Sequence, residues 1–292
     1  MSISKATIIL AITALGVFGT SQCVQGKTIS HPHRTVVNPD TYGDNDGGFA
    51  TNWYRLKSAT DVTVTYSSTT NSNAVRKHLE LPKGTIIGAQ RYHQQVASKN
   101  VAYTSGYMTP NISYHLKSHL VNSKVYGFEA VSFKLPAKKV QQIVRPAYGL
   151  PYGSGTLYSG GVGAIKSLNR NVDAIKISSD GYIETYRNDP KKYPSFLGTL
   201  ESHYQSKPND SQRIILSEKT NDTVHLYYAH HLAGVNDKRV HQSGNQQYQL
   251  TIVNRHTPYQ YSDSAYSSGK TIASIYSVGG SNYFTIIGSG DE

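Results

Sequence analysis

The clearest pattern along the chain has a period of two. In Asp61-Val62-Thr63-Val64-Thr65-Tyr66, Ala174-Ile175-Lys176-Ile177 and Tyr248-Gln249-Leu250-Thr251-Ile252-Val253, successive side chains alternate between two faces of an extended backbone. Tyr, Thr, Val and Ile dominate these runs, and they suit a pleated, half-buried surface. Val101-Ala102-Tyr103, Val224–Tyr228 and Asn282–Ile287 read as further aromatic strands, with Tyr227 and Tyr228 on opposite faces. Helical spacing is scarce: the pattern predicts short helices only over Asn73–Leu81 and Ala137–Val144, neither long enough to persist without packing. The expectation is an all-β protein.

The alternation breaks at Pro146–Gly163 (PAYGLPYGSGTLYSGGVG), where Gly and Pro recur. This predicts a join over residues 146–171, rich in Gly, Pro and Tyr, between a basic β domain at 52–145 and a second β domain at 172–292. A weak repeat runs through both. Three times a Tyr closes a strand-like run, a polar loop follows, and the chain resumes with Gly, Thr and an aliphatic residue: Tyr66 to Gly84-Thr85-Ile86, Tyr186 to Gly198-Thr199-Leu200, and Tyr261 to Gly269-Lys270-Thr271-Ile272, where Lys270 interrupts. Such self-similarity suggests one small β unit used more than once.

These strand, loop and Gly-Thr-aliphatic features resemble the bacterial SH3-like modules of Gram-positive surface proteins. With its high pI and its abundance of Tyr and Thr, the whole chain resembles the S-layer and S-layer-associated proteins of lactic-acid bacteria. The resemblance implies two SH3-like or small-barrel β regions and non-covalent attachment to wall polymers.

The N-terminus fits export. Lys5 precedes the apolar run Ala6–Gly19, and Val24 and Gly26 are small residues at the −3 and −1 positions of a cleavage site, so residues 1–26 are expected to be a signal peptide and 27–51 a flexible segment. No other run is expected to cross a membrane in the mature chain. Cys23, the sole cysteine, lies in that signal behind Gln22, where a lipid-attachment signal wants a small residue. Cleavage after Gly26 removes every thiol mechanism and leaves stability to the core and hydrogen bonds.

The chain has 292 residues, 29 Lys and Arg against 18 Asp and Glu, and 23 Tyr. A charged fraction of 16% with many aromatics excludes intrinsic disorder. The net charge of +11 predicts attraction to polyanions, and export sets nucleic acid aside. The charge is uneven: residues 1–146 hold 16 cations and 6 acids, residues 147–292 hold 13 and 12. The candidate ligand-binding residues are the basic cluster Arg76, Lys77 and Lys83 and the join tyrosines Tyr148, Tyr152 and Tyr158. A tyrosine ring stacks on a sugar while its hydroxyl bonds beside it. Lys134, Lys138 and Lys139 form a second basic cluster, and Trp53 reads as a core anchor.

Motifs for catalysis are weak. His115 and His119 share a face at i, i+4, but Leu116 stands where a metalloprotease helix needs Glu. His230 and His231 are simply adjacent. Asp40, Asp44 and Asp46 suggest a calcium loop in which Tyr42 occupies a ligand position. Ser154, in Gly153-Ser154-Gly155, has Tyr152 and Thr156 where the Gly-x-Ser-x-Gly of a nucleophile elbow needs its glycines, and Glu184, Glu201 and Glu218 are carboxylates without a diagnostic spacing. No catalytic residue, metal or cofactor is assigned. The expectation is a secreted, non-catalytic protein that binds anionic or neutral wall polysaccharide. The alternatives are a secreted polysaccharide or peptidoglycan hydrolase and an adhesin.

Overall fold

Tyr54 and Leu56, Val62 and Val64, Leu79 and Leu81, Ile87 and Ala89, and Phe133 and Leu135 are five apolar pairs, each two residues apart, and with Val140 they fill one buried core. The computed structural model describes residues 52–67, 75–107, 112–120, 130–150, 155–166, 172–188, 207–255, 259–262 and 270–290. The first seven strands are β1 (Asn52–Leu56), β2 (Thr60–Ser67), β3 (Val75–Leu81), β4 (Ile86–Val96), β5 (Lys99–Tyr107), β6 (Ala130–Pro136) and β7 (Val140–Ile143); the pairs lie on β1, β2, β3, β4 and β6, and Val140 opens β7. The seven strands make one antiparallel sheet in the order β3-β2-β6-β5-β4-β1-β7. Their apolar faces meet in a single core, so the sheet is curled. Ile112 and Leu120, flanking the short helix α1 (Tyr114–Lys117), complete that core.

Both expected helices prove to be mostly strand. Val75–Leu81 pairs with β2 along its whole length, from Thr60↔Leu81 to Tyr66↔Val75. Leu79 and Leu81 point inward while Arg76, His78 and Glu80 are exposed, a period of two that the neighbouring strand selects over local helical spacing. In 137–144 only Ala137–Lys139 forms a single 3₁₀ turn, after which Val140–Ile143 pairs with β1.

The second sheet is antiparallel and eleven-stranded. It comprises β8 (Thr156–Ser159), β9 (Ala174–Ile177), β10 (Tyr182–Tyr186), β11 (Asp210–Arg213), β12 (Leu216–Thr220), β13 (Thr223–Tyr228), β14 (Lys238–Arg239), β15 (Tyr248–Asn254), β16 (Tyr259–Ser262), β17 (Lys270–Val278) and β18 (Ser281–Gly290). Its path is β11-β10-β9-β8-β18-β17-β15-β13-β12, with β14 on β15 and β16 on β17. The two end strands are consecutive in the chain. Between them Ile214 N–H donates to Gly181 O at 2.8 Å and Ile215 N–H to Tyr227 O at 2.9 Å, so the sheet curls back on itself around Leu226, Tyr228, Leu250, Ile252, Ile175 and Ile183. A smaller core of Tyr158, Tyr186, Ile275 and Phe284 lies apart from it and includes Ile165 of helix α2 (Gly161–Lys166).

The segment 146–171, expected as a join, contains β8 and α2. Thr156, Leu157 and Tyr158 are all buried because β8 runs between β9 and β18 with packing on both faces. The repeat does not mark equivalent units either. Between Tyr66 and Gly84 the chain forms β3, which pairs with β2, whereas β16 pairs directly with β17; residues 198–200 lie outside the described residues. So do the signal, the 27–51 segment and the Asp40–Asp46 run. Among the described residues no helix is long and apolar enough to cross a membrane.

Candidate functional site

The first sheet presents a strongly positive surface. Its described residues, 52–146, include twelve Lys and Arg against two acids, Asp61 and Glu80, and nine of the cations are exposed. The three residues expected to form a basic cluster do not share one face. Arg76 projects outward from β3 and is exposed. Lys77, its neighbour, sits on the opposite face in line with Leu79, half-buried, and its Nζ donates to Leu120 O at 3.2 Å. Lys83 is exposed in the turn before β4, where Gly84 takes φ +87°. Lys134 and Lys138 are exposed, on β6 and in the following 3₁₀ turn.

The join tyrosines divide differently. Tyr158 is 3% exposed and packs on Phe284 at 5.3 Å, which takes it off the surface. Tyr152 lies outside the described residues. Tyr148 is half-buried: its ring meets Trp53 edge-on at 6.4 Å and its hydroxyl donates to Ser179 O at 2.7 Å. Burial pushes that hydroxyl well above the usual tyrosine range, with the Asp180 carboxylate adding to the shift. It is a clasp between the first sheet and the β9–β10 turn, not an open stacking face. Trp53, expected as a core anchor, lies instead half-buried on the outer side of β1, outside the core of the first sheet and under Gly149, where an added Cβ would come within 2.8 Å of the ring.

A second clasp joins the same turn to α1, and both sheets belong to one structural unit. Asp180 Oδ1 accepts from Ser113 N–H at 2.7 Å and Oδ2 from Ser113 Oγ at 2.5 Å. Glu184 Oε1 accepts from Tyr114 N–H at 2.5 Å, and Oε2 accepts from Tyr186 Oη at 2.6 Å and faces Lys176 Nζ at 3.5 Å. Lys176 Nζ also donates to Ile112 O at 2.7 Å, and the His115 ring stacks on Tyr182 at 5.1 Å. Lys117, Lys176 and Glu184 are wholly buried. Burial lowers the Lys117 amine well below the usual lysine range, reinforced by Lys176 and opposed by Glu184 and Asp180. Burial raises Glu184, but Lys176, Lys117 and the bonds from Tyr186 and Tyr114 outweigh it, so its carboxyl sits below the usual range. Asp180 is raised by burial in spite of its Ser113 and Ser178 bonds.

The remaining candidates are distributed over the second sheet and α1. Glu184 is sealed from solvent and its oxygens are occupied. Glu218 is exposed and accepts from Tyr227 Oη at 2.9 Å, which in turn accepts from Gln249 Nε2 at 2.8 Å. Tyr228 is fully buried, so the two tyrosines do point to opposite faces. His231 is positioned by Asp237, whose carboxylate also accepts from Tyr228 Oη and Leu232 N–H. His119 Nε2 lies 3.4 Å from His78 O while His115 meets Tyr182, so the pair does not converge. Glu201 and Ser154 lie outside the described residues.

Sequence reading missed the buried lysines and the exposed cations Arg91 and Lys99. The signal for the latter is a run from Leu81 to Phe128 without a single Asp or Glu. No protein-family model, no curated protein and no solved structure matches the chain.

Proposed function

We propose that the protein is exported and docks non-covalently on the polysaccharides of a cell wall, with the first sheet as its docking surface. The observation that carries this reading is the excess of twelve cations over two acids in the described part of that sheet. Nine exposed cations on the first sheet and its turns raise the local concentration of a negatively charged polymer by long-range attraction, and salt weakens that attraction over a Debye length of ~8 to 10 Å. The resemblance to SH3-like surface modules and to S-layer proteins agrees with a curled sheet in this role. The hydrolase alternative loses Glu184, a carboxylate closed off from any polymer.

Sedimentation with purified cell walls tests the reading. The full chain is expected to pellet with walls at low salt and to be released as ionic strength rises. Failure to pellet at low salt refutes it.

A further inference from the structure

The β4–β5 hairpin reaches beyond the sheet that carries it. β1 follows β4 only as far as Asn52↔Ala89, and β6 follows β5 only as far as Tyr103↔Pro136. The last four rungs, His93↔Ala102 to Val96↔Lys99, have no further strand beside them among the described residues. Four rungs at strand spacing project about 14 Å. Residues 93–100 are all exposed, so this part of the ribbon buries little.

The ribbon is also locally unfavourable. Its two-residue turn places Ala97 at φ 48° and Ser98 at φ 64°, a left-handed conformation that costs a residue other than glycine about 1–2 kcal/mol. A two-stranded ribbon without a packed face is marginal in water. Strain in an element that covers nothing directs attention to what the element touches.

Its chemistry identifies a partner. Arg91 and His93 lie on one face by register, and Lys99 lies at the tip on the other, the face on which Lys134 of β6 reaches up from the base to bring its Nζ 3.5 Å from Gln94 Oε1. No acid occurs from residue 81 to residue 128. Among its described side chains Val96, 40% exposed, is the one large exposed apolar group. A planar membrane would meet only one face of such a ribbon, and a folded protein would want a larger apolar centre. A chain-like polyanion can lie along both faces. Arginine's fork matches phosphate oxygens, and lysine supplies a point charge.

We infer that the β4–β5 ribbon is the element of the first sheet that grips a linear polymer carrying phosphodiester charges, with Arg91 and Lys99 as contacts on its opposite faces and Lys134 at its base. This rests on the docking reading above and narrows it to one element and one charged group.

The test is affinity electrophoresis of the full chain in gels containing poly(glycerol phosphate), polygalacturonate or dextran. Wild type is expected to be retarded most by poly(glycerol phosphate) and not by dextran. Arg91→Gln with Lys99→Gln should weaken that retardation roughly tenfold, whereas Arg76→Gln with Lys83→Gln, an equal change in net charge, should weaken it less than about threefold. Equal losses from the two pairs overturn the ribbon as the gripping element while leaving polymer docking intact. Equal retardation by polygalacturonate overturns the assignment to phosphate. If wild type is retarded by no polymer and does not sediment with walls, the docking reading itself fails. Thermal melting of each variant within about 2 °C of wild type, as expected for exposed side chains, shows that the variants are folded.

Discussion

Replacing Glu184 by Gln removes the anion at the centre of the clasp between α1 and the β9–β10 hairpin, while nearly preserving its shape. In the wild type, Glu184 accepts from Tyr114 N–H and Tyr186 Oη and faces the Lys176 amine, and neither charged side chain is exposed. The amide keeps one oxygen for these donors. Its NH₂ group turns a donor toward a second donor, and Lys176 loses the carboxylate it faces. Leaving a buried charge uncompensated costs about 3–5 kcal/mol, far more than the roughly 1 kcal/mol of one neutral hydrogen bond. Lys117→Met is the contrasting change. Burial and Lys176 already bias that amine toward its neutral form, so an apolar side chain of similar length should cost under about 1 kcal/mol or even stabilise. Urea denaturation followed by tyrosine fluorescence measures both. The pH dependence supplies a second readout. Glu184 has a folded pKa below its ordinary 4.5, so its contribution is present above that value and is lost as pH falls through the folded pKa. Glu184→Gln should abolish this acid loss. Asp180, raised from 3.8, acts with the opposite sign: it favours the folded state once protonated, and that advantage disappears as pH rises through its folded pKa. A loss under about 1 kcal/mol for Glu184→Gln, or an equal loss for Lys117→Met, would refute the reasoning.

Three other substitutions probe separate parts of the molecule. Gly149→Ala drives a Cβ to 2.8 Å from the Trp53 ring and 2.9 Å from Arg145 Cγ, and is expected to lower stability by about 1–3 kcal/mol in a calorimetric melt. Asp237→Asn keeps one oxygen for Tyr228 Oη and Leu232 N–H, which already share Oδ2, but gives them a neutral acceptor and turns an NH₂ group toward His231 Nδ1, at a cost of about 1–3 kcal/mol in the same assay; it should also switch the His231 ring to the tautomer that accepts at Nδ1, seen in its ring-nitrogen NMR shifts. Ala97→Asn with Ser98→Gly supplies the residues that a turn with two positive φ values prefers, so stability should rise by about 1 kcal/mol, with slower hydrogen exchange at Val96 and Lys99.

Much of the fold was legible because period-two alternation survives wherever one face is buried. Asp61–Tyr66, Ala174–Ile177 and Tyr248–Val253 all fall in strands, and Val62, Val64, Leu250 and Ile252 are buried as their spacing requires. The helices expected at 73–81 and 137–144 failed where short runs satisfy two periodicities and the neighbouring strand decides. β8 was hidden for a different reason. Packed on both faces, its residues show no alternation, and glycines on either side resemble a linker. The candidate site was less legible. Residues adjacent in sequence on a strand point to opposite faces, which separates Arg76 from Lys77. Tyr148 and Tyr158 spend their aromatic surface on packing. The exposed Arg91 and Lys99 belong together only through the register of a hairpin, and composition alone does not encode register. Lys176 occupies an alternating position, yet nothing local predicts that its charge meets Glu184 eight residues later or the carbonyl of Ile112.

The form of the clasp bears on docking. An apolar contact between the two sheets would tolerate small rotations, because dispersion and hydrophobic burial have little directionality. Here the contact is made by carboxylates on successive N–H groups of Ser113 and Tyr114, by an amine on Ile112 O and by the Tyr148 hydroxyl on Ser179 O. Each of these bonds has a narrow geometry and is partly or wholly buried, so partial rotation would strand polar groups at up to about 1–3 kcal/mol each where they are sealed from water. The arrangement selects one relative orientation of the sheets over a range of looser ones. Both clasps converge on the single turn Ser178–Gly181 and its strands, so they form or break together. If the first sheet docks as proposed, force on a bound polymer would therefore reach the second sheet through that hairpin, and the clasp should yield as one cooperative step instead of sliding.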